Sequence, residues 1–152
     1  MIQLQAGASR AGSAVDRLRS AAGGRLRRYR QYQEFYEGRH FERARNGRSN
    51  LVLNYARAVV DKGLAYLLGR GIEWSVEPVR MESSRDRKRA AEVERVLYSI
   101  GADNDVDAVD LAVAQNAAVL GDGIYKVLWE PSRGVRILSV DPRAFFATFA
   151  GD

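Results

Sequence analysis

Apolar positions in this chain change period several times, and each change marks an element. Leu26, Tyr29, Tyr32 (or Gln33) and Tyr36 recur at spacings of three and four, which predicts a helix over 25–37 with one aromatic stripe. Arg27, Arg28, Arg30, Glu34 and Glu37 lie mostly off that stripe, and Gly38 reads as its C-terminal cap. A polar linker over 38–50 follows, holding Asn46 and Gly47. Ser49 or Asn50 is suited to cap the next helix, because a short side-chain oxygen accepts an orphan N–H there. That helix runs to about Leu68, with Leu53, Ala56, Val60, Leu64, Leu67 and Leu68 on one broad apolar face. Such a face predicts burial against something substantial, and Gly69 and Gly71 end the run.

The period then drops to two. I-E-W-S-V at 72–76 reads as a half-buried strand, closed by Pro78. Glu82–Leu97 returns to helical spacing through Ala91, Val93, Val96, Leu97 and Ile100, and Gly101 is expected to break it. Asp105–Leu120 repeats the pattern with Val106, Val109, Val113, Ala117 and Leu120. After the turn Gly121-Asp122-Gly123 come two β-like runs, Ile124–Trp129 and Val135–Val140. Pro131-Ser132-Arg133-Gly134 reads as the hairpin turn between them. Asp141-Pro142 opens a loop, and Ala144–Phe149 is expected to add a last short strand. The chain stops straight after that segment, which is the expectation for a domain that is incomplete. Residues 1–24, rich in Ala, Gly, Ser and Arg, read as a flexible basic arm. A helix over Ser13–Ala22 is expected in the arm, ended by Gly23-Gly24. The predicted class is α+β, with three or more helices packed on a small, mostly antiparallel sheet over residues 25–152.

Composition narrows the function classes. With 152 residues, 46% of them hydrophobic, the chain amounts to about one domain. It has no cysteine, so neither a disulfide framework nor a thiolate metal site is available. No apolar run reaches the roughly 18 residues of a membrane span, and the N-terminus lacks the pattern of a signal peptide. Residues 1–50 hold 11 Lys+Arg against 4 Asp+Glu, whereas the rest hold 13 against 15. The basic character is therefore an N-terminal property. Arg25, Arg27, Arg28, Arg30, Arg43, Arg45 and Arg48 are the candidates for contact with nucleic-acid phosphates, with a solvated basic surface as the alternative.

Catalytic patterns do not emerge. His40 is the lone histidine, and no phosphate-loop motif occurs. Asp103, Asp105, Asp107 and Asp110 have a D-x-D-x-D spacing. A calcium loop would place a glycine and an acidic residue where Ala108 and Ala114 stand, so a helix N-terminus explains these aspartates better. Asp61 would need a partner carboxylate for catalysis; a salt bridge or an interface suits it better. No cofactor is implied. Tyr29, Tyr32, Tyr36, Trp74 and Trp129 read as core or subunit-interface anchors.

Several blocks resemble the portal proteins of tailed, siphophage-type bacteriophages. Tyr32 with Phe35-Tyr36-Glu37-Gly38 is similar to the aromatic block that ends the family's basic helix. Asn50, Leu51, Asn54, Val59, Val60, Asp61, Lys62, Tyr66, Leu67 and Gly69 resemble its second block. G-D-G-I-Y-K-V at 121–127 and V-D-P-R at 140–143 resemble later ones. Order and spacing agree over about residues 25–149. The resemblance implies a structural subunit of a ring, usually of twelve copies, at one capsid vertex of the virion. Double-stranded DNA is packaged and ejected through that ring. Implied partners are further copies of the chain, the major capsid protein, terminase, head-completion proteins and the DNA, with no membrane and no enzymatic site. Family members are much longer, so this chain would hold only the N-terminal part of the wing-like domain. Two other readings stand beside it: a small basic nucleic-acid-binding module without catalysis, and a nucleotide-dependent enzyme completed by residues beyond Asp152.

Overall fold

The computed structural model describes residues 15–39 and 53–147. Its elements are α1 (Gly23–Tyr36), α2 (Tyr55–Leu68), α3 (Ser84–Asp103), α4 (Val106–Leu120), β1 (Ile124–Glu130), β2 (Gly134–Val140) and a 3-10 turn, Pro142–Ala144. A helical stretch, 15–21, precedes α1. The class is α+β, with four main helices and one antiparallel hairpin among the described residues.

α4 is the hub. Its sequence carries charge only at Asp107 and Asp110, and a helix apolar on almost every side has to be surrounded. It packs on α1, α2, α3 and β2. The buried hydrophobic residues come from all four helices: Tyr29 and Tyr36, Leu64, Ala90, and Val113 with Leu120.

Helix ends follow their local chemistry. After α1, Gly38 takes φ +82, a conformation that favours glycine. Its N–H bonds Phe35 O at 3.1 Å and the Arg39 N–H bonds Glu34 O at 2.8 Å, the paired bonds of a Schellman cap. α2 starts later than expected, at Tyr55, because Asn54 is its cap and accepts from Arg57 N at 3.1 Å. Ser49 and Asn50 lie outside the described residues. Gly23-Gly24 open α1 instead of closing the helix before it. Ala22 N bonds Leu18 O and Leu26 N bonds Ala22 O, each at 2.9 Å, so helical bonding bridges the pair.

Three further expectations are corrected. Gly101 does not break α3, which runs on to Asp103. A Cβ there would stand 2.4 Å from the Trp74 ring, so the glycine admits the indole against the helix. Residues 72–76 are not a strand. Within them the Trp74 backbone N–H donates to Tyr98 Oη and the Val76 backbone N–H to Glu94 Oε2, both at 3.2 Å. Side chains of α3 thus take the place of a neighbouring strand. The period of two survives only from Trp74 onward, with Trp74, Val76 and Pro78 half-buried and Ser75 and Glu77 exposed, while Ile72, expected on the inner side, is exposed. Ala144–Phe149 is not a strand over its described part either. Pro142 and the cap of Asp141, whose Oδ1 accepts from Arg143 N at 2.8 Å, turn the chain into the 3-10 turn; residues 148 and 149 lie outside the described set.

The hairpin forms as expected, in register from Ile124 opposite Val140 to Glu130 opposite Gly134. Arg133 N bonds Glu130 O at 3.1 Å and Gly134 sits at φ +75, the geometry of a three-residue loop with a bulge.

Candidate assembly surfaces

The residues that stood out in the sequence meet at one joint between α1, α2 and α4. Tyr36 donates its hydroxyl to Asp61 Oδ1 at 2.6 Å and accepts from Gln115 Nε2 at 3.2 Å. Arg57 Nε donates to the other Asp61 oxygen at 3.3 Å, and its guanidinium lies 5.7 Å over the Tyr36 ring. Asn54 donates Nδ2 to Tyr36 O at 2.7 Å. Asp61 is therefore an ion-pair and hydrogen-bond anchor, with both oxygens engaged. Its hydrogen bond to the Tyr36 phenol, followed by burial, raises that phenol's pKa above the ordinary value.

Two more tyrosine–aspartate pairs repeat the device. The Tyr29 hydroxyl donates to Asp122 in the glycine turn, tying α1 to the end of α4. The Tyr125 hydroxyl donates to Asp110 Oδ1 at 2.7 Å, tying β1 to α4. Half of Tyr125 is exposed, yet its hydroxyl end lies against a buried carboxylate; desolvation and then that carboxylate push its pKa up to about 12.

The arginines divide. Arg25 turns inward: its guanidinium lies 5.7 Å over the Tyr29 ring and Nη2 donates to Phe145 O at 2.6 Å. It clamps the segment after the 3-10 turn instead of standing free for phosphate. Arg27, Arg28 and Arg30 are exposed on α1 and form no ion pair among the described residues. Arg43, Arg45, Arg48 and His40 lie outside the described residues.

The aromatic anchors divide as well. Tyr29 and Tyr36 are buried, and Trp74 is half-buried with its ring 5.5 Å from that of Tyr98. Tyr32 and Trp129 are exposed. Nor is α2 buried over the broad face expected. Leu64 is buried and Ala56, Val60 and Leu68 are half-buried, but Leu53 and Leu67 stand exposed beside Tyr55, Val59 and Tyr66. The cause is one-sided packing: α2 meets α1 and α4, and no described element covers its other side. On β1, Tyr125, Val127 and Trp129 share a face by alternation and are all exposed.

Asn104 had no prior signal beyond a polar break between helices. It is buried, donates Nδ2 to Ile100 O at 2.8 Å and Val135 O at 3.0 Å, and accepts from Ile137 N at 2.9 Å. It thereby locks the end of α3 to the outer edge of β2.

Among the described residues no group of three or more His, Cys, Asp or Glu is placed to hold a metal ion. No described helix is long and apolar enough to cross a membrane. Comparison with family models, curated proteins and solved structures gives no match.

Proposed function

We propose that this chain is a structural subunit of a bacteriophage portal ring, through which double-stranded DNA enters the capsid and later leaves. One observation carries the reading. Among the described residues twenty-one large apolar side chains are exposed, whereas six hydrophobic residues are buried. A surface of that kind calls for neighbours, since a lone soluble domain rarely exposes large contiguous apolar patches. The resemblance to portal proteins supplies the kind of neighbour: further copies in a ring of about twelve, then capsid protein, terminase and head-completion proteins, at the capsid vertex. The aromatic, asparagine and aspartate positions of that resemblance meet at the Tyr36–Asp61 joint, while Tyr66 and Leu67 of the same block face outward. Electron microscopy of the natural polypeptide that carries this sequence tests the reading. Closed rings are the expected result; a monomer at every concentration overturns it.

A second reading, a nucleic-acid module without catalysis, draws on the exposed Arg27, Arg28 and Arg30, which form no ion pair among the described residues. Three phosphate contacts give a slope of roughly −2.7 in log K against log salt for duplex DNA. A titration with a flat salt dependence, or with no DNA binding, removes it.

A further inference from the structure

α3 is charged against its own dipole. The N-terminal end of a helix favours anions and the C-terminal end favours cations. Here Arg85, Arg87, Lys88 and Arg89 stand exposed in the first turns, and the acidic residue of the first turn, Asp86, is held by Arg80 at 2.7 Å. At the other end no basic residue occupies the last turn. Instead Asp103 closes α3, and the corner runs on into the N-terminus of α4, where Asp105 is the left-handed cap residue, without capping through its side chain, and Asp107 lies in the first turn. All three are exposed, and none has a hydrogen-bonded or ion-pair partner for its side chain among the described residues. The two ends lie about 30 Å apart along the helix, well beyond a screening length of about 8 Å. Neither end compensates the other within one chain.

The basic end is also concave. An open cleft of about 720 Å³ is lined by Arg80, Arg85, Lys88 and Arg89, with Asp86 and Glu92 as the acidic members. We infer that this cleft receives the Asp103–Asp105–Asp107 corner of a second copy of the chain. Arg85, Lys88 and Arg89 meet the three carboxylates, of which Asp103 stands at the C-terminal end of α3 while Asp105 and Asp107 stand at the N-terminus of α4. The contact is head to tail. Each subunit added offers a fresh cleft and a fresh corner, so the contact propagates and closes into a ring when the rotation allows. The inference rests on the self-assembly part of the ring reading.

Paired charge reversals test it. Arg85→Glu with Arg89→Glu makes both ends acidic; Asp103→Lys with Asp107→Lys makes both basic. Asp105 stays untouched because of its left-handed backbone. Sedimentation of the natural polypeptide is read against salt and concentration, with melting curves as the folding control. The wild type is expected to assemble less as salt rises. Each variant alone is expected to associate at least about tenfold more weakly, and an equimolar mixture to recover wild-type association through alternating complementary contacts. Folded variants whose mixture fails to recover overturn the inference, as does an assembly indifferent to either pair; rings that persist in both variants overturn this contact while leaving the ring reading standing. Recovery that stops at two-copy pairs overturns the inference, because a pair joined head to tail still offers a free cleft and a free corner. A wild type that never associates overturns both. Where a reversal lowers the melting temperature, Arg85→Gln with Arg89→Gln and Asp103→Asn with Asp107→Asn replace it; each is expected to weaken association, and unchanged association overturns the inference.

Discussion

Tyr125 holds its proton first because the packing around its hydroxyl end disfavours a charge there, and then because that hydroxyl donates to the buried carboxylate of Asp110, 2.7 Å away, so that ionising it would place two negative charges together. Its pKa stands near 12 in the folded chain against the ordinary 10. A raised folded value favours the protonated, folded state, so this stability is complete below pH 10 and is lost as pH rises toward 12. The Tyr36 shift, caused first by Asp61, acts in the same direction. The melting temperature is therefore expected to fall steeply over that alkaline window. Tyr125→Phe should cost about 1.5–3 kcal/mol at neutral pH, because Asp110 loses its partner, and should flatten the alkaline fall. An equally steep fall in the variant would sink this account. Asn54 carries two bonds at once, the cap on Arg57 N and the donation to Tyr36 O. Asn54→Ala is expected to lower stability by about 1–2 kcal/mol in urea melts. Asn54→Asp should recover at most the cap, since it removes the donor; full recovery by Asp would show the Tyr36 bond to be idle.

α2 offers two faces of opposite consequence within one helix. Leu64 is buried, so Leu64→Asp places an uncompensated charge in the core and is expected to unfold the chain. Tyr66 is 79% exposed, so Tyr66→Asp should leave stability within about 0.5 kcal/mol while weakening association. Circular dichroism with sedimentation separates the two, and a Tyr66→Asp that unfolds would reverse the assignment of faces. The spacing of apolar residues made the helices and the hairpin legible, since helical and alternating periods write themselves directly into a sequence. What escaped depended on partners remote in the chain. Gly101 reads as a breaker until the Trp74 ring is seen against it, and 72–76 reads as a strand until Tyr98 and Glu94 are seen serving its N–H groups. The outer face of α2 looked like core because a sequence shows that a residue is apolar and not whether this chain covers it. In the joint, Tyr36 and Asp61 were visible as singular residues, whereas Gln115 there, like Asn104 between α3 and β2, is an ordinary amide until the fold aims it.

For the molecule as a whole, the assembly proposed above would make stability depend on association, because it would cover the exposed apolar surface and pair the opposed charges at the ends of α3. The melting temperature is expected to climb with protein concentration, by mass action worth up to about 1.4 kcal/mol per tenfold increase. A constant value across that range would mean that the copies do not stabilise one another. Asn104 adds a constraint of another kind. Its side chain occupies Val135 O and Ile137 N, two of the groups through which β2 would bond a neighbour. The described hairpin thus has one blocked flank and one vacant flank. A strand adding along β2 would have to displace this buried amide, whereas one adding alongside Ile124–Glu130 meets no such obstacle among the described residues.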